Sequence, residues 1–173
     1  LLQLEPWGEN SLRIRGTKTA SISQEPWALL DDQVPCTAQI KVNGKTASIT
    51  NGKITARIEV SNWNHKCVIS YYNQNKKLLL KETGDGGALN KDSRRFHGII
   101  GGAYNLHVSF ASAQNEKLFG MGQYQQDDLD LKYTTLNLHI EILRQVFLLF
   151  FPVLAMASYG ITRLLVRLHL EKM

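Results

Sequence analysis

Few residues in this chain have types and spacings that could do chemistry. Asp127, Asp128 and Asp130 form an acidic cluster. Without a second carboxylate held at a fixed distance across a bond, such a cluster is not a general acid/base pair. His65, His97 and His107 are dispersed and have no acid or cysteine at ligand spacing, so they read as surface or strand histidines and no metal site is expected. Cys36 and Cys67 have no third or fourth partner; they read as buried thiols of a reducing compartment, and a single disulfide between them stays open. Neither GDGG at 84–87, which no Lys-Ser or Lys-Thr follows, nor GMG at 120–122, which lacks a third glycine, can cradle a phosphate. No catalytic residue and no cofactor is therefore expected. Trp7 and Trp27 each follow a proline in Glu-Pro-Trp. An indole face matches the C–H face of a pyranose, and packing at a sheet edge is the competing reading.

The elements that must hold these residues are strands. Apolar and polar residues alternate over 1–4 and 12–15, with Gly8, Glu9 and Asn10 as a turn between them. In CTAQIKVNGKTASITNGKITARIEV, the pairs Asn43-Gly44 and Asn51-Gly52 separate three runs rich in Ile, Val and Thr. Asn-Gly tolerates the positive φ of tight hairpins, so three adjacent antiparallel strands follow. CVISYY, a turn at 73–75, KLLLKE, a glycine-rich stretch at 83–92 and YNLHVSFAS continue the series. EPWALL at 25–30 fits a helical turn or an ordered connection. No window before Leu138 carries apolar residues at helical spacing with caps, and many short strands at regular intervals predict an all-β antiparallel sandwich.

Charge and hydropathy narrow the function classes. The chain of 173 residues is 43% hydrophobic and 20% charged, with net charge +5. The basic residues are scattered, and the pairs Lys76-Lys77 and Arg94-Arg95 lack neighbouring aromatics, so they read as solvated faces and exclude a nucleic-acid surface. The chain opens on Leu1 with no basic-then-apolar leader, and a cytoplasmic location is expected. Residues 145–162 are eighteen uncharged residues in a row. As a helix they would reach about 27 Å against a bilayer core of about 30 Å, and Pro152 and Gly160 weaken them. A membrane anchor is thus marginal, and an apolar helical tail is the expectation.

Two segments carry a resemblance. EPWGENSLRIRGTK at 5–18 contains Trp7, Gly8, Arg13 and Arg15 in a Trp-Gly-x-x-x-x-Arg-x-Arg pattern, and NEKLFGMGQYQQDDLDLKYTTLNL at 115–138 contains an LFGMGQ loop followed by YQQ and a DLK step. Together they resemble the N-terminal β-sandwich domain of glycoside hydrolase family 31, in its bacterial α-xylosidase and α-glucosidase branches. The resemblance spans residues 1–138. It implies an incomplete galactose-mutarotase-like sandwich that packs on a catalytic (β/α)₈ barrel and lends loops to its sugar pocket. On the barrel, two aspartates cleave α-glycosidic bonds with retention. A barrel needs about 250 residues, so the hydrolytic aspartates are not expected in this chain. The implied substrate-contacting residues are Gln123, Tyr124, Gln125 and Asp128. The implied ligand is an α-linked oligosaccharide or glycoside.

The resemblance stops at Leu138. There the family pattern would continue approximately AHRNSQASVPFLLSSLGYGFLWNNP, whereas the tail reads HIEILRQVFLLFFPVLAMASYGIT. Reading the tail one base earlier makes each new codon the third base of one residue and the first two of the next. LAMASYGIT, spelled TTG GCT ATG GCT TCT TAT GGA ATA ACC, then yields Gly-Tyr-Gly-Phe-Leu-Trp-Asn-Asn. HIEILRQVFLLFFPVL can likewise be recoded to AHRNSQASVPFLLSSL. The glycine between Met156 and Ala157 is forced, because ATG has one spelling and every alanine codon begins GC. Residues 139–173 are accordingly expected to be a frameshifted apolar tail and not a native domain, and 1–138 a non-catalytic domain of a retaining α-glycosidase. A stand-alone carbohydrate-binding sandwich using Trp7, Trp27 or Tyr124, and a membrane-anchored β-domain, are the alternatives.

Overall fold

The computed structural model describes residues 1–22, 24, 37–61, 66–84, 92–102, 104–112, 114–123, 129–133, 135–138, 145–152, 158–159 and 166–169, with backbone alone for 120–123 and for everything after 134. Every strand pairing among them is antiparallel. The chain divides into two compact units, Leu1–Phe110 and Ala111–Met173.

The first unit opens with a hairpin of β1 (Leu2–Trp7) and β2 (Ser11–Gly16). A five-stranded meander follows in chain order: β3 (Gln39–Asn43), β4 (Thr46–Asn51), β5 (Ile54–Val60), β6 (Cys67–Asn73) and β7 (Leu78–Lys81). The expected three-strand run is there, with its turns set one residue later than an Asn-Gly pair suggests. The register pairs Asn43 with Thr46 and Asn51 with Ile54, so Gly44-Lys45 and Gly52-Lys53 are the central turn residues. Glycine takes the first central position, with φ of 56° and 55°, which is the glycine-first arrangement of a type II′ hairpin.

That register leaves Asn51 as a strand residue, 2% exposed, whose amide donates to the carbonyls of Gly8 and Ser11 at 2.9 and 2.8 Å. In return Asn10 Oδ1 accepts from the Lys53 amide at 2.8 Å. Two asparagines thus tie the first hairpin to the β4–β5 turn. The meander buries one face: Ile49, Ala56 and Tyr71 share a register row, and Ile69 lies in the next. Ile40 and Val42 lie opposite Ile49 and Ala47 on the same face but are exposed, so this apolar face runs uncovered onto edge strand β3.

A second hairpin, β8 (Arg94–Gly98) and β9 (Tyr104–Val108), completes the unit. β8 is a strand that alternation did not reveal, and it corrects the reading of Arg94 as part of a solvated face. Arg94 Nη1 donates to both oxygens of Glu82 at 2.6 and 2.7 Å, and Nη2 donates to the Cys67 carbonyl at 3.1 Å. Glu82, 3% exposed, also accepts from the Ile69 amide at 3.0 Å and the Ser93 hydroxyl at 3.5 Å. Its backbone bridges to Phe110. One carboxylate therefore joins β6, the end of β7 and the start of β8. Burial raises the Glu82 pKa above the ordinary carboxylate range, against the opposing pull of Arg94 and the Ile69 amide. Burial, and then the Glu82 charge, push the Tyr71 phenol well above its ordinary value.

The second unit contains β10 (Leu118–Gln123), β11 (Thr135–Leu138), β12 (Gln145–Pro152), β13 (Ser158–Tyr159) and β14 (Val166–His169). β10, β12 and β13 form one sheet in that order, and β11 pairs with β14. The helical expectation for the tail is corrected here, because all its described residues are strand. Val146, Phe147, Phe150 and Phe151 favour an extended backbone, no cap marks a helix start, and β10 offers main-chain partners to Gln145–Pro152. Among the described residues no helix is long and apolar enough to cross a membrane.

Two outcomes follow from these contacts. A Cβ on Gly52 would collide with the Asn10 side chain and the Glu9 carbonyl, whereas one on Gly44, at nearly the same φ, meets nothing within 4 Å. Gly52→Ala should therefore lower the urea midpoint more than Gly44→Ala, whose strain alone costs about 1 kcal/mol; equal losses would contradict the clasp. Glu82→Ala leaves Arg94 buried without its partner and should cost about 3–5 kcal/mol in equilibrium unfolding. Because its folded pKa is raised, the native state holds the proton more tightly than the unfolded chain. Stability should then decline as pH rises from the ordinary carboxylate range through that raised pKa, and level off above it. Glu82→Gln should flatten this slope.

Candidate functional site

The two segments that drew attention in the sequence lie on different units and are built differently. On the β1–β2 hairpin, register places Glu5 opposite Arg13, Gln3 opposite Arg15 and Trp7 opposite Ser11. Alternation puts all six on one face. Glu5 pairs with Arg13 at 3.3 Å and Arg15 at 3.1 Å, accepts from Gln3 Nε2 at 3.1 Å, and these charged groups are mostly buried. The Arg13 guanidinium lies 4.7 Å from the centre of the Trp7 ring. A cation thus covers one face of the indole. The Ser11 hydroxyl caps the Trp7 carbonyl. The spacing of Arg13 and Arg15 is thus the spacing of a strand whose alternate residues grip one carboxylate. Trp27 lies outside the described residues.

The other segment is the loop that begins on β10. Gln123 is the last residue of that strand and pairs by backbone with Gln145. Tyr124, Gln125 and Asp128 lie outside the described residues. The base of the loop is described. Asp130 Oδ1 accepts from the amides of Leu118 at 3.0 Å and Lys132 at 3.2 Å, and the Leu131 amide donates to the Leu118 carbonyl at 2.8 Å. Leu118 and Leu131 are both buried. Of the acidic cluster, Asp130 is therefore a backbone acceptor. The Leu118 amide is the chief cause of its lowered pKa, and Lys117 and Lys132 add to it. Tyr133 follows with a φ of 70°, in the left-handed region a bulky residue seldom adopts.

Elsewhere, His107 shares a hydrogen bond with Ser109 at 3.1 Å, and Cys67 carries a free thiol; Cys36 and His65 lie outside the described residues. Among the described residues no group of three His, Cys, Asp or Glu could hold a metal ion. Sequence reasoning missed Glu82, Ser93, Asn51 and the role of Asp130. The signal for Glu82 was a lone acid in phase with Leu80 at the end of an apolar run.

The segments 5–18 and 115–138 are both covered by one match: the family profile of the glycosyl hydrolase 31 N-terminal galactose mutarotase-like domain fits residues 1–141. The chain belongs to this family. An uncharacterized family 31 glucosidase, ORF2, of Pseudescherichia vulneris is 40% identical to the family 31 chain over 155 residues, covering 80% of it and 28% of the relative. A solved GH31 α-xylosidase from a soil metagenome, complexed with xylose, superposes with a TM-score of 0.85 at 30% identity, over 98% of this chain and 26% of that one. The GH31 α-xylosidase of Xanthomonas citri shares the fold, with a TM-score of 0.67 at 20% identity over 87% of this chain and 16% of that one. The family 31 chain thus spans about a quarter of the length of its glucosidase and soil-metagenome relatives.

The Asp130 geometry makes a pH prediction. Its pKa is depressed below the ordinary 3.8, so the clasp should stay intact above that value and be lost as pH falls through the lower folded pKa. The Leu118 amide proton shift, followed by NMR, should titrate with a midpoint below 3.8. A midpoint at or above it would contradict the assignment.

Proposed function

We propose that residues 1–138 are the non-catalytic N-terminal domain of a retaining α-glycosidase of the α-xylosidase or α-glucosidase type. Its partner is an α-linked glycoside, and its working surface is the β10 loop, where Gln123, Tyr124, Gln125 and Asp128 edge the mouth of the sugar pocket. The observation that carries this reading is the 40% identity to a family 31 glucosidase, joined to close superposition on a xylosidase crystallised with xylose. Catalytic acids belong to a separate barrel in this reading, which agrees with the Glu5 and Asp130 carboxylates both being engaged in structural contacts. The free thiol of Cys67 suits a reducing, cytoplasmic setting.

The same proposal treats residues 139–173 as out-of-frame. The family profile ends at 141, and the glucosidase match leaves a fifth of the chain uncovered. The superposition over 98% of the chain includes the tail, whose strand β12 pairs through main-chain groups that do not depend on the reading frame. Genomic DNA sequenced across the Thr134 codon and beyond should show the −1 frame continuing open into barrel aspartates; a −1 frame closed by early stops sinks the frameshift.

The domain role is tested by grafting residues 1–138 in place of the matching segment of the Pseudescherichia vulneris glucosidase. The chimera should hydrolyse 4-nitrophenyl α-glucoside or α-xyloside with kcat/KM within about tenfold of the parent, a loss of about 1.4 kcal/mol or less in transition-state stabilisation. A chimera no better than the parent lacking that segment refutes the role.

A further inference from the structure

We propose that Asn43 is a site of spontaneous covalent modification, converted by water to aspartate and isoaspartate, and that the fold withholds the same reaction from Asn51. The chain presents Asn-Gly-Lys twice, at 43–45 and 51–53, each time after a β-branched residue. The reaction begins when the glycine backbone nitrogen attacks the asparagine Cγ. A C–N bond forms, and the side-chain nitrogen leaves as ammonia with the glycine N–H proton, closing a succinimide ring. Water then adds to one ring carbonyl and breaks its bond to nitrogen. Opening on the side-chain carbonyl gives aspartate; opening on the main-chain carbonyl gives isoaspartate, with the chain now running through the side-chain carbon. Ammonia is lost, one water is gained, and nothing is oxidised or reduced. Glycine favours the attack because no Cβ crowds the nitrogen and its backbone turns freely.

The local chemistry of the two sites is the same, and both open a glycine-first turn with φ of 56° and 55°. Their surroundings differ. Asn51 is 2% exposed, and its Nδ2 donates to the carbonyls of Gly8 and Ser11 at 2.9 and 2.8 Å. Its Cγ cannot swing onto the Gly52 nitrogen without breaking both bonds. The Asn10 side chain and the Glu9 carbonyl crowd Gly52, and Asn10 Oδ1 holds the Lys53 amide. Asn43 ends β3, an edge strand exposed along its whole length. Among the described residues its carboxamide makes no hydrogen bond, and nothing lies within 4 Å of where a Cβ on Gly44 would stand. Only the Asn43 backbone is held, by pairing with Thr46 and by the Thr46 hydroxyl on its carbonyl at 3.0 Å. Fraying at an edge-strand end is enough to free Asn43, whereas Asn51 reacts only when the two hairpins separate. The product carries a carboxylate between Lys41 and Lys45, and isoaspartate lengthens the main chain where β3 pairs with Thr46.

The test incubates the full 173-residue chain at mildly alkaline pH, folded and in urea, and follows both sites by peptide mass spectrometry. Tryptic cleavage after Lys41, Lys45 and Lys53 puts the two asparagines on separate peptides. In urea the two should lose ammonia at like rates. In the folded chain Asn51 should react at least about tenfold more slowly than Asn43, as expected when two hydrogen bonds must first open. Asn10→Ala should speed Asn51 and leave Asn43 unchanged. Equal rates in the folded chain overturn the proposal, as does a folded Asn43 that does not react while the chain in urea does. A difference that persists unchanged in urea also overturns it, by tracing protection to neighbouring sequence and not to the fold. So does an Asn10→Ala variant with both rates unchanged.

Discussion

The buried pair of Glu82 and Arg94 is the constraint on which the first unit depends. Glu82 sits where β7 ends, with its backbone still paired to β6, and its side chain accepts from β6, from Ser93 and from Arg94. A carboxylate at this depth costs several kcal/mol to desolvate, and only a full set of donors offsets that cost. Once the set is complete, β8 can start in only one register, because Arg94 must point at Glu82 while its second nitrogen reaches the Cys67 carbonyl. The second hairpin inherits its position from that geometry. Phe96 and Tyr104, on the same face, then meet edge to face with ring centres 6.5 Å apart.

The first hairpin is attached by a different kind of contact. Asn51 and Asn10 exchange hydrogen bonds with each other's turns, and Gly52 is the residue that lets the two turns approach. The motif of alternating arginines on β2 is spent inside the hairpin, on Glu5 and the Trp7 ring. In this hairpin the family signature serves to hold two strands together. At the start of β10 the Leu118 backbone is held by the Asp130 carboxylate and the Leu131 amide.

The tail shows how little strand formation asks of side chains. Gln145–Pro152 pairs with β10 through the backbone, although its sequence lacks the alternation of a half-buried strand. An apolar run of this length reads equally as helix or strand. The choice falls to whichever hydrogen-bond partner is nearby, and here that partner is the open edge of β10.

By itself the sequence determined the class, the hairpins and the family. Alternating residues, glycines after asparagine and two motifs at the ends of residues 1–138 each encode local backbone geometry or an ordered pattern, and such signals survive without coordinates. Tertiary structure decided what depends on residues distant in the chain. Arg94 looked like half of a solvated basic pair until a carboxylate 12 positions away proved to be its partner. Asp130 looked like part of an acidic cluster until the Leu118 amide turned it into a clasp. Asn51 looked like a turn residue until the register moved the turn onto Gly52-Lys53 and freed its amide for a hairpin 40 positions earlier. In each case the side chain's role follows from which unsatisfied polar group the fold brings within 3 Å of it, and no local pattern carries that information.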